Sequence, residues 1–208
     1  MVEFGEGGVG MASGFPQIVL ARHGATEWSV LGRHTGRTDI VLTERGRSDA
    51  VRLGERLRRM EFGRVMSSPL QRARVTAEIA GYGDRVELVP DLMEWDYGPY
   101  EGLTAAEIRE RNPGWVVFRD GVAGGELVPQ AVERADRVVA TLRAARENVL
   151  VFSHGHYIRL LAARWMGLPL EYAGRMLLGT AAVSILGYNH GLDEPSLLLW
   201  NDAHHLAG

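Results

Sequence analysis

Two short apolar runs, each ending in a histidine followed by glycine, constrain the fold of this chain more than any other feature. Ile18-Val19-Leu20-Ala21 leads into Arg22-His23-Gly24, and Val149-Leu150-Val151-Phe152 leads into Ser153-His154-Gly155-His156. Such short runs of β-branched and aliphatic residues read as buried strands delivering polar side chains at their C-terminal ends. Open α/β sheets bind their ligands beyond those ends. The two runs therefore predict a two-histidine site at one edge of a sheet, with His23 as a candidate nucleophile.

The chain has 208 residues, 46% of them hydrophobic, which suits one substantial core and predicts a single domain. It contains no cysteine, so disulfides, thiolate metal sites and cysteine nucleophiles are excluded and a reducing, cytoplasmic setting is expected. Residues 1–15 carry five glycines (Gly5, Gly7, Gly8, Gly10 and Gly14), two acids and no basic segment. They are expected to form a disordered leader rather than a signal peptide, with residues 16–208 as the folded domain. No run is long and apolar enough to suggest a membrane span. A formal charge of -3 provides no general field for nucleic acid, so neither nucleic acid nor membrane is an expected partner. A small anionic ligand held by a local arginine cluster fits better, and a homodimer is compatible with the composition.

Between the two runs, hydrophobic spacing alternates between helical and extended. Residues 22–42 form a polar segment too long for a simple turn, and such loops often face ligands. Thr43 is placed to cap a helix whose apolar stripe is Ala50, Leu53, Leu57 and Met60. Val65-Met66 predicts a short strand ending at Ser67-Ser68-Pro69, and Leu70 to Ala80 a helix with Arg72 in its first turn. Val86 to Val89 reads as a strand, Leu92 to Leu103 as irregular and aromatic, and Thr104 as the cap of a short helix ending before Pro113. Pro129 suits a helix start, and Ala131, Ala135, Val138 and Leu142 predict that this helix continues to about Glu147. Residues 157–166 read as another apolar helix, and the segments Val183 to Tyr188 and Leu197 to Trp200 as a terminal pair of strands. The expected fold class is α/β, a single-domain three-layer sandwich with a mostly parallel mixed sheet.

His154-Gly155-His156, with His23 and His34, also has the outline of a metal clasp. A cation beside Arg22 and Arg72 would be repelled, and no close pair of carboxylates accompanies the histidines, so no metal is expected. Neither a lysine-containing phosphate loop nor a dinucleotide fingerprint is present, and no cofactor is expected. Trp28, Trp95, Tyr97 and Tyr100 divide between two readings, pocket lining and core closure. Arg74 lies two positions from Arg72, so a helix points it elsewhere, either to a surface ion pair or to substrate.

From Ile18 to Trp200 the chain resembles the histidine phosphatase superfamily, the fold shared by cofactor-dependent phosphoglycerate mutases and many phosphatases. The resemblance rests on Leu20-Ala21-Arg22-His23-Gly24, Thr35-Gly36, Leu42-Thr43-Glu44-Arg45-Gly46, Ser67-Ser68-Pro69-Leu70-Gln71-Arg72-Ala73-Arg74-Val75-Thr76, Leu92-Met93-Glu94-Trp95-Asp96-Tyr97-Gly98 and Ser153-His154-Gly155, in the family's order. It implies a phosphoglycerate mutase-like fold and a phosphorylated His23, with Arg22, Arg72 and His154 around the phosphoryl group and Glu94 as proton donor. It further implies phosphate or substrate contacts from Ser29, Thr35, Gly36 and Gly155. The family commonly has asparagine where Ser29 stands, and a serine hydroxyl reaches less far.

The implied chemistry is coherent with the residue types. An imidazole can take a phosphoryl group and release it to water, dividing one displacement into two. Arginine forks remain charged and match the equatorial oxygens, and the helix start after Gly155 can offer backbone amides. Within the family, mutases usually carry a longer stretch with basic residues between the glutamate and second-histidine motifs. Here that interval is compact, and its Arg109, Arg111 and Arg119 do not reproduce the mutase pattern. Leu31-Gly32-Arg33-His34-Thr35-Gly36 and Glu94-Trp95-Asp96-Tyr97-Gly98 resemble small actinobacterial acid phosphatases of the superfamily. The expected function is a phosphomonoesterase acting on a small phosphorylated metabolite. A phosphoglycerate mutase and a non-catalytic phosphate-binding or interaction module are the alternatives.

Overall fold

The computed structural model describes residues 14–207. The leader expectation falls mainly on residues 1–13, outside the described residues. Phe15, assigned to that leader, instead packs edge-on against Tyr188, with ring centroids 6.1 Å apart.

The strands are β1 (Ile18–Arg22), β2 (Arg64–Ser67), β3 (Val86–Leu88), β4 (Val149–Ser153), β5 (Val183–Tyr188) and β6 (Pro195–Asp202). They form one sheet in the order β3-β2-β4-β1-β5-β6. The β3-β2-β4-β1 half is parallel, while β5 runs antiparallel to both β1 and β6. The helices are α1 (Glu27–Val30), α2 (Glu44–Leu57), α3 (Gln71–Ala77), α4 (Ala105–Arg111), α5 (Val117–Asp120), α6 (Val128–Arg143) and α7 (Gly155–Trp165).

Strand alternation divides the core into two layers, because successive side chains leave opposite faces of a sheet. Ile18, Leu20, Val149 and Val151 face α6 and α7, where Ala135, Val138, Tyr157 and Leu161 meet them. Val19, Ala21, Leu150 and Phe152 face α2 and the end of α3, meeting Leu53, Leu57 and Ala77. The central strands are therefore apolar on both sides, as the continuous runs required. Burying Leu53 or Leu57 completely contributes about 1.5–3 kcal/mol each.

Several boundaries differ from those read from spacing. The predicted loop over residues 22–42 contains α1, whose N-terminus is closed by a reciprocal pair: Ser29 N donates to Thr26 Oγ1, and Thr26 N donates to Ser29 Oγ. α2 stops at Leu57, and Met60 packs against the same apolar cluster from beyond its end. α3 stops at Ala77, and a wider turn over Glu78–Tyr82 follows, with Gly81 at φ 92°. α6 ends at Arg143 rather than near Glu147, because the chain must reverse into β4. Ala145 N already bonds back to Leu142 O in a tighter turn, and Arg143 Nη2 ties the helix end to Trp165 O. α7 begins at Gly155, two residues before the spacing placed it. Among the described residues, no helix is long and apolar enough to cross a membrane.

Candidate active site

β1 and β4 are parallel neighbours in which Arg22 pairs with Ser153, so the residues that follow each strand emerge side by side. His23 and His154 stand there with ring centroids 5.2 Å apart. Arg22, His23, Glu94, Gly155 and Arg159 line a cavity of about 300 Å3. A larger hollow of about 750 Å3 on the α2 face is lined by Arg58, Phe62, Tyr82 and Arg85. It holds no histidine and lies away from the strand ends, so chemistry rather than size locates the site.

The His23 ring is fixed in one tautomer. Its Nδ1 lies 2.7 Å from Gly24 O, and a carbonyl can only accept, so Nδ1 carries the proton and Nε2 keeps a free lone pair. The Gly24 carbonyl is itself held in place. Gly24 N donates to Thr76 Oγ1 at 3.0 Å, and Gly24 lies so close to Gly46 at the start of α2 that a β-carbon would strike the Gly46 backbone. Burial, followed by the charges of Arg22 and Arg72, holds the His23 imidazole well below its ordinary pKa of 6.5.

Arg22 donates through Nη1 to Leu178 O at 2.5 Å, while its buried Nε has no partner among the described residues. A β-carbon on Gly155 would lie 3.2 Å from the guanidinium carbon, so the glycine lets Arg22 rest against the start of α7. Arg72 is 0% exposed and differs from its expected role as a simple anion clamp. Four of its five N–H donors are engaged: Nη1 with Thr38 O at 3.0 Å, Nη2 with Thr35 O at 3.0 Å and Gly36 O at 2.8 Å, and Nε with His154 Nδ1 at 3.1 Å. One donor remains for an anion, three organise the loop and the fourth is held by His154.

His154 accepts that Arg72 bond at Nδ1, so its proton resides on Nε2, 2.7 Å from Ser68 Oγ. Both ring nitrogens are occupied, and the ring orients Arg72 beside the place expected for the phosphoryl group. Burial and then Arg72 hold its pKa well below 6.5.

Glu94 is 5% exposed and sits at the N-terminus of α7. Its Oε1 accepts from Trp95 N at 2.9 Å and Tyr157 N at 2.8 Å, and its Oε2 from His156 N at 3.0 Å. The amides expected to meet a bound anion after Gly155 therefore serve the carboxyl instead, which leaves Gly155 N as the first amide of the helix. Glu94 is also one of the residues that line the cavity.

Ser29 and Thr35 line the cavity, but the Ser29 hydroxyl donates to Thr26 O at 2.9 Å and Thr35 Oγ1 to Arg33 O at 3.2 Å. Gly36 stands behind the site, supplying its carbonyl to Arg72 and packed against Trp95 O and Glu101. Of the aromatic residues, Tyr97 faces the cavity, whereas Trp95 is buried and donates from Nε1 to Glu126 O at 2.8 Å. Trp28 rests against Gly102, Tyr100 packs on Trp115, and Arg74 pairs with Glu78 on the surface.

His156 diverges from His154, with Nδ1 2.6 Å from Tyr97 Oη, and no group of three or more metal-binding side chains occurs among the described residues. Sequence reasoning missed Ser68, Thr76 and Arg159. Ser68 and Thr76 stand inside the Ser67–Thr76 motif but received no role there, and Arg159 falls one helical turn after Gly155 and so shares its face.

Residues 18–203 match the histidine phosphatase superfamily, branch 1. An acid phosphatase from Mycobacterium tuberculosis is 42% identical over 186 residues, covering 88% of this chain and 91% of the relative. Sedoheptulose 1,7-bisphosphatase from Saccharomyces cerevisiae is 34% identical, covering 77% of this chain and 71% of the relative. A solved Mycobacterium tuberculosis structure superposes with a TM-score of 0.83 at 40% identity, over 89% of this chain and 97% of that one. Mycobacterial glucosyl-3-phosphoglycerate phosphatase superposes with a TM-score of 0.75 at 28% identity, over 90% of this chain and 99% of that one. The chain belongs to branch 1 of the histidine phosphatase superfamily.

Proposed function

We propose that this protein hydrolyses a small phosphorylated metabolite through phosphorylated His23. The observation that carries this reading is the unprotonated His23 Nε2, fixed by the Nδ1 bond to Gly24 O beside the incompletely partnered Arg22. In the first step Nε2 forms a bond to phosphorus as the bond to the ester oxygen breaks, and Glu94 gives a proton to the departing alkoxide. In the second step water attacks phosphorus, Glu94 recovers a proton from it, and the nitrogen–phosphorus bond breaks to release phosphate. Arg22, the remaining Arg72 donor and Gly155 N surround the transferring oxygens with positive charge and dipoles, which is most of what this transfer requires.

Hydrolysis is favoured over mutase chemistry by the short interval between Glu94 and His154. Arg109 is engaged with Trp115 O and Arg119 with Asp120, and neither is among the residues that line the cavity. They supply no basic cover to retain a bisphosphorylated intermediate while it reorients. The cavity of about 300 Å3 lies at the small end for ligand pockets and suits a metabolite.

Two measurements test the proposal. His23→Ala should abolish turnover and acid-labile labelling by a phosphorylated substrate, and normal turnover in that variant would sink the mechanism. With 3-phosphoglycerate and a little 2,3-bisphosphoglycerate, the protein should form little 2-phosphoglycerate while releasing free phosphate from at least one metabolite. Efficient isomerisation with negligible phosphate release would assign it as a mutase, and neither activity would assign it as a binding module.

A further inference from the structure

The cavity has a cationic wall that the two-step reaction leaves unused. Arg159 projects from α7 into the same cavity as Arg22 and His23. Its Nε donates to Ala173 O at 2.7 Å, and its guanidinium carbon lies 5.0 Å over the Phe118 ring. Both Nη groups lack an acceptor among the described residues, and no carboxylate there forms an ion pair with it. Other arginines of α6 and α7 are paired: Arg134 on α6 with Glu126, and Arg164, on α7 itself, with Asp136. Arg33 also reaches the cavity, but its Nη1 is taken by Gly102 O and lies 3.5 Å from Glu107. Arg159 is therefore a half-buried charge without a counter-ion, an arrangement that is costly unless an anion completes it.

The groups beside it add a second kind of contact. His34 stacks on His156 with ring centroids 5.7 Å apart and 17° between planes. His34 Nδ1 lies 2.9 Å from Leu103 O, so it donates there, and Nε2 of the neutral ring is an acceptor available to a hydroxyl. Burial lowers the pKa of both rings, which keeps them neutral and the wall able to accept.

We infer that Arg159 forms a second-anion subsite, so the favoured substrates are hydroxylated phosphomonoesters carrying a carboxylate or second phosphate away from the ester that is cleaved. A phosphate ester of a plain alcohol leaves Arg159 unpaired. A second anion on the same small molecule supplies the missing charge-assisted bonds. This inference rests on the phosphatase reading and names the substrate class for that site.

The test uses matched substrates: 3-phosphoglycerate against glycerol 3-phosphate for the carboxylate, and fructose 1,6-bisphosphate against fructose 6-phosphate for the second phosphate. Phosphate release by the purified full chain should give a higher kcat/KM for the doubly anionic member of at least one pair. Arg159→Met, which keeps much of the apolar stem, should reduce kcat/KM for that member about tenfold more than for its singly anionic partner. Arg159→Lys should restore part of the preference, which repair of packing alone would not do.

Binding gives an independent reading. In His23→Ala, titration calorimetry should show the doubly anionic ligand binding about tenfold more tightly, with Arg159→Met in that background removing the difference. Equal losses for both members of each pair, or no preference in turnover or binding, would overturn the subsite. Discrimination in binding without hydrolysis of any substrate would overturn the phosphatase reading and leave the subsite standing.

Discussion

Glu94 owes its position to a buried ion pair on the far side of its segment, and removing one partner tests that dependence. The side chains of Arg134 and Glu126 are 7% and 9% exposed. Arg134 Nε and Nη2 reach the two Glu126 oxygens at 2.9 and 2.7 Å, while Nη1 donates to Asp91 O at 2.7 Å and Met93 O at 2.6 Å. Glu126 in turn accepts from Asp96 N at 3.3 Å, and its carbonyl accepts from Trp95 Nε1. The pair thus grips the chain on both sides of Glu94. Arg134→Met keeps some of the stem packed near Tyr157, over whose ring the guanidinium carbon lies at 4.3 Å, but removes four hydrogen bonds and strands a buried carboxylate.

Breaking a buried pair from one side costs about 3–5 kcal/mol, a large part of the roughly 5–15 kcal/mol that holds an ordinary domain folded. Urea unfolding should show that loss. Adding Glu126→Gln removes the stranded charge, so the double variant should recover about 1–3 kcal/mol relative to Arg134→Met alone. Displacement of Glu94 should also slow alkyl phosphate hydrolysis about tenfold or more, because small misplacements of a reacting group are costly. Arg134→Met within about 1 kcal/mol of the parent, or a double variant no more stable than the single, would refute this account.

The phosphorylation step should persist at acidic pH, because His23 Nε2 remains unprotonated well below 6.5. A stopped-flow profile falling through a pKa near 6.5 would contradict that assignment. Stability should behave differently: His23, His154 and His156 all have pKa values well below 6.5 in the folded protein. The unfolded chain binds protons there that the native state refuses, so stability is retained above pH 6.5 and declines as pH falls below it. Denaturation midpoints measured between pH 7.5 and 5 would show the reverse slope if these rings were buried as cations. Glu94→Gln should damage the phosphorylation rate for alkyl phosphates far more than for p-nitrophenyl phosphate, whose phenolate departs unaided. Rapid-quench rates falling equally for both would remove Glu94 as the proton donor.

The sheet was legible because its central strands face helices on both sides and so appear as uninterrupted apolar runs. The cluster of Arg22, His23, Glu94, Arg72 and His154 was legible from motifs, but their division of labour was not. Nothing in the spacing of Arg72 shows that Thr35, Gly36 and Thr38 would turn their carbonyls toward it. The Glu94 contacts with α7 were equally hidden, because they join amides and a carboxyl that lie far apart along the chain. α1 escaped notice because four residues carry no helical periodicity, and only the Thr26 and Ser29 pair closes its start. The end of α6 was misplaced because Ala144, Ala145 and Arg146 are all good helix formers, so propensity carries no stop signal there.

The pairing of β1 with β4 has a consequence for how activity appears during folding. These adjacent parallel strands carry the two histidines, yet every helix from α1 to α6 lies between them in the chain. Closing that contact requires a large loop to be ordered first, which makes it slow relative to local helix formation. A growing polypeptide should therefore remain inactive until β4 has emerged and docked. Refolding assays should show helical signal returning before hydrolysis. A chain divided between α4 and α6 should yield two inert fragments, and activity should return only when the second fragment restores β4 to its place beside β1.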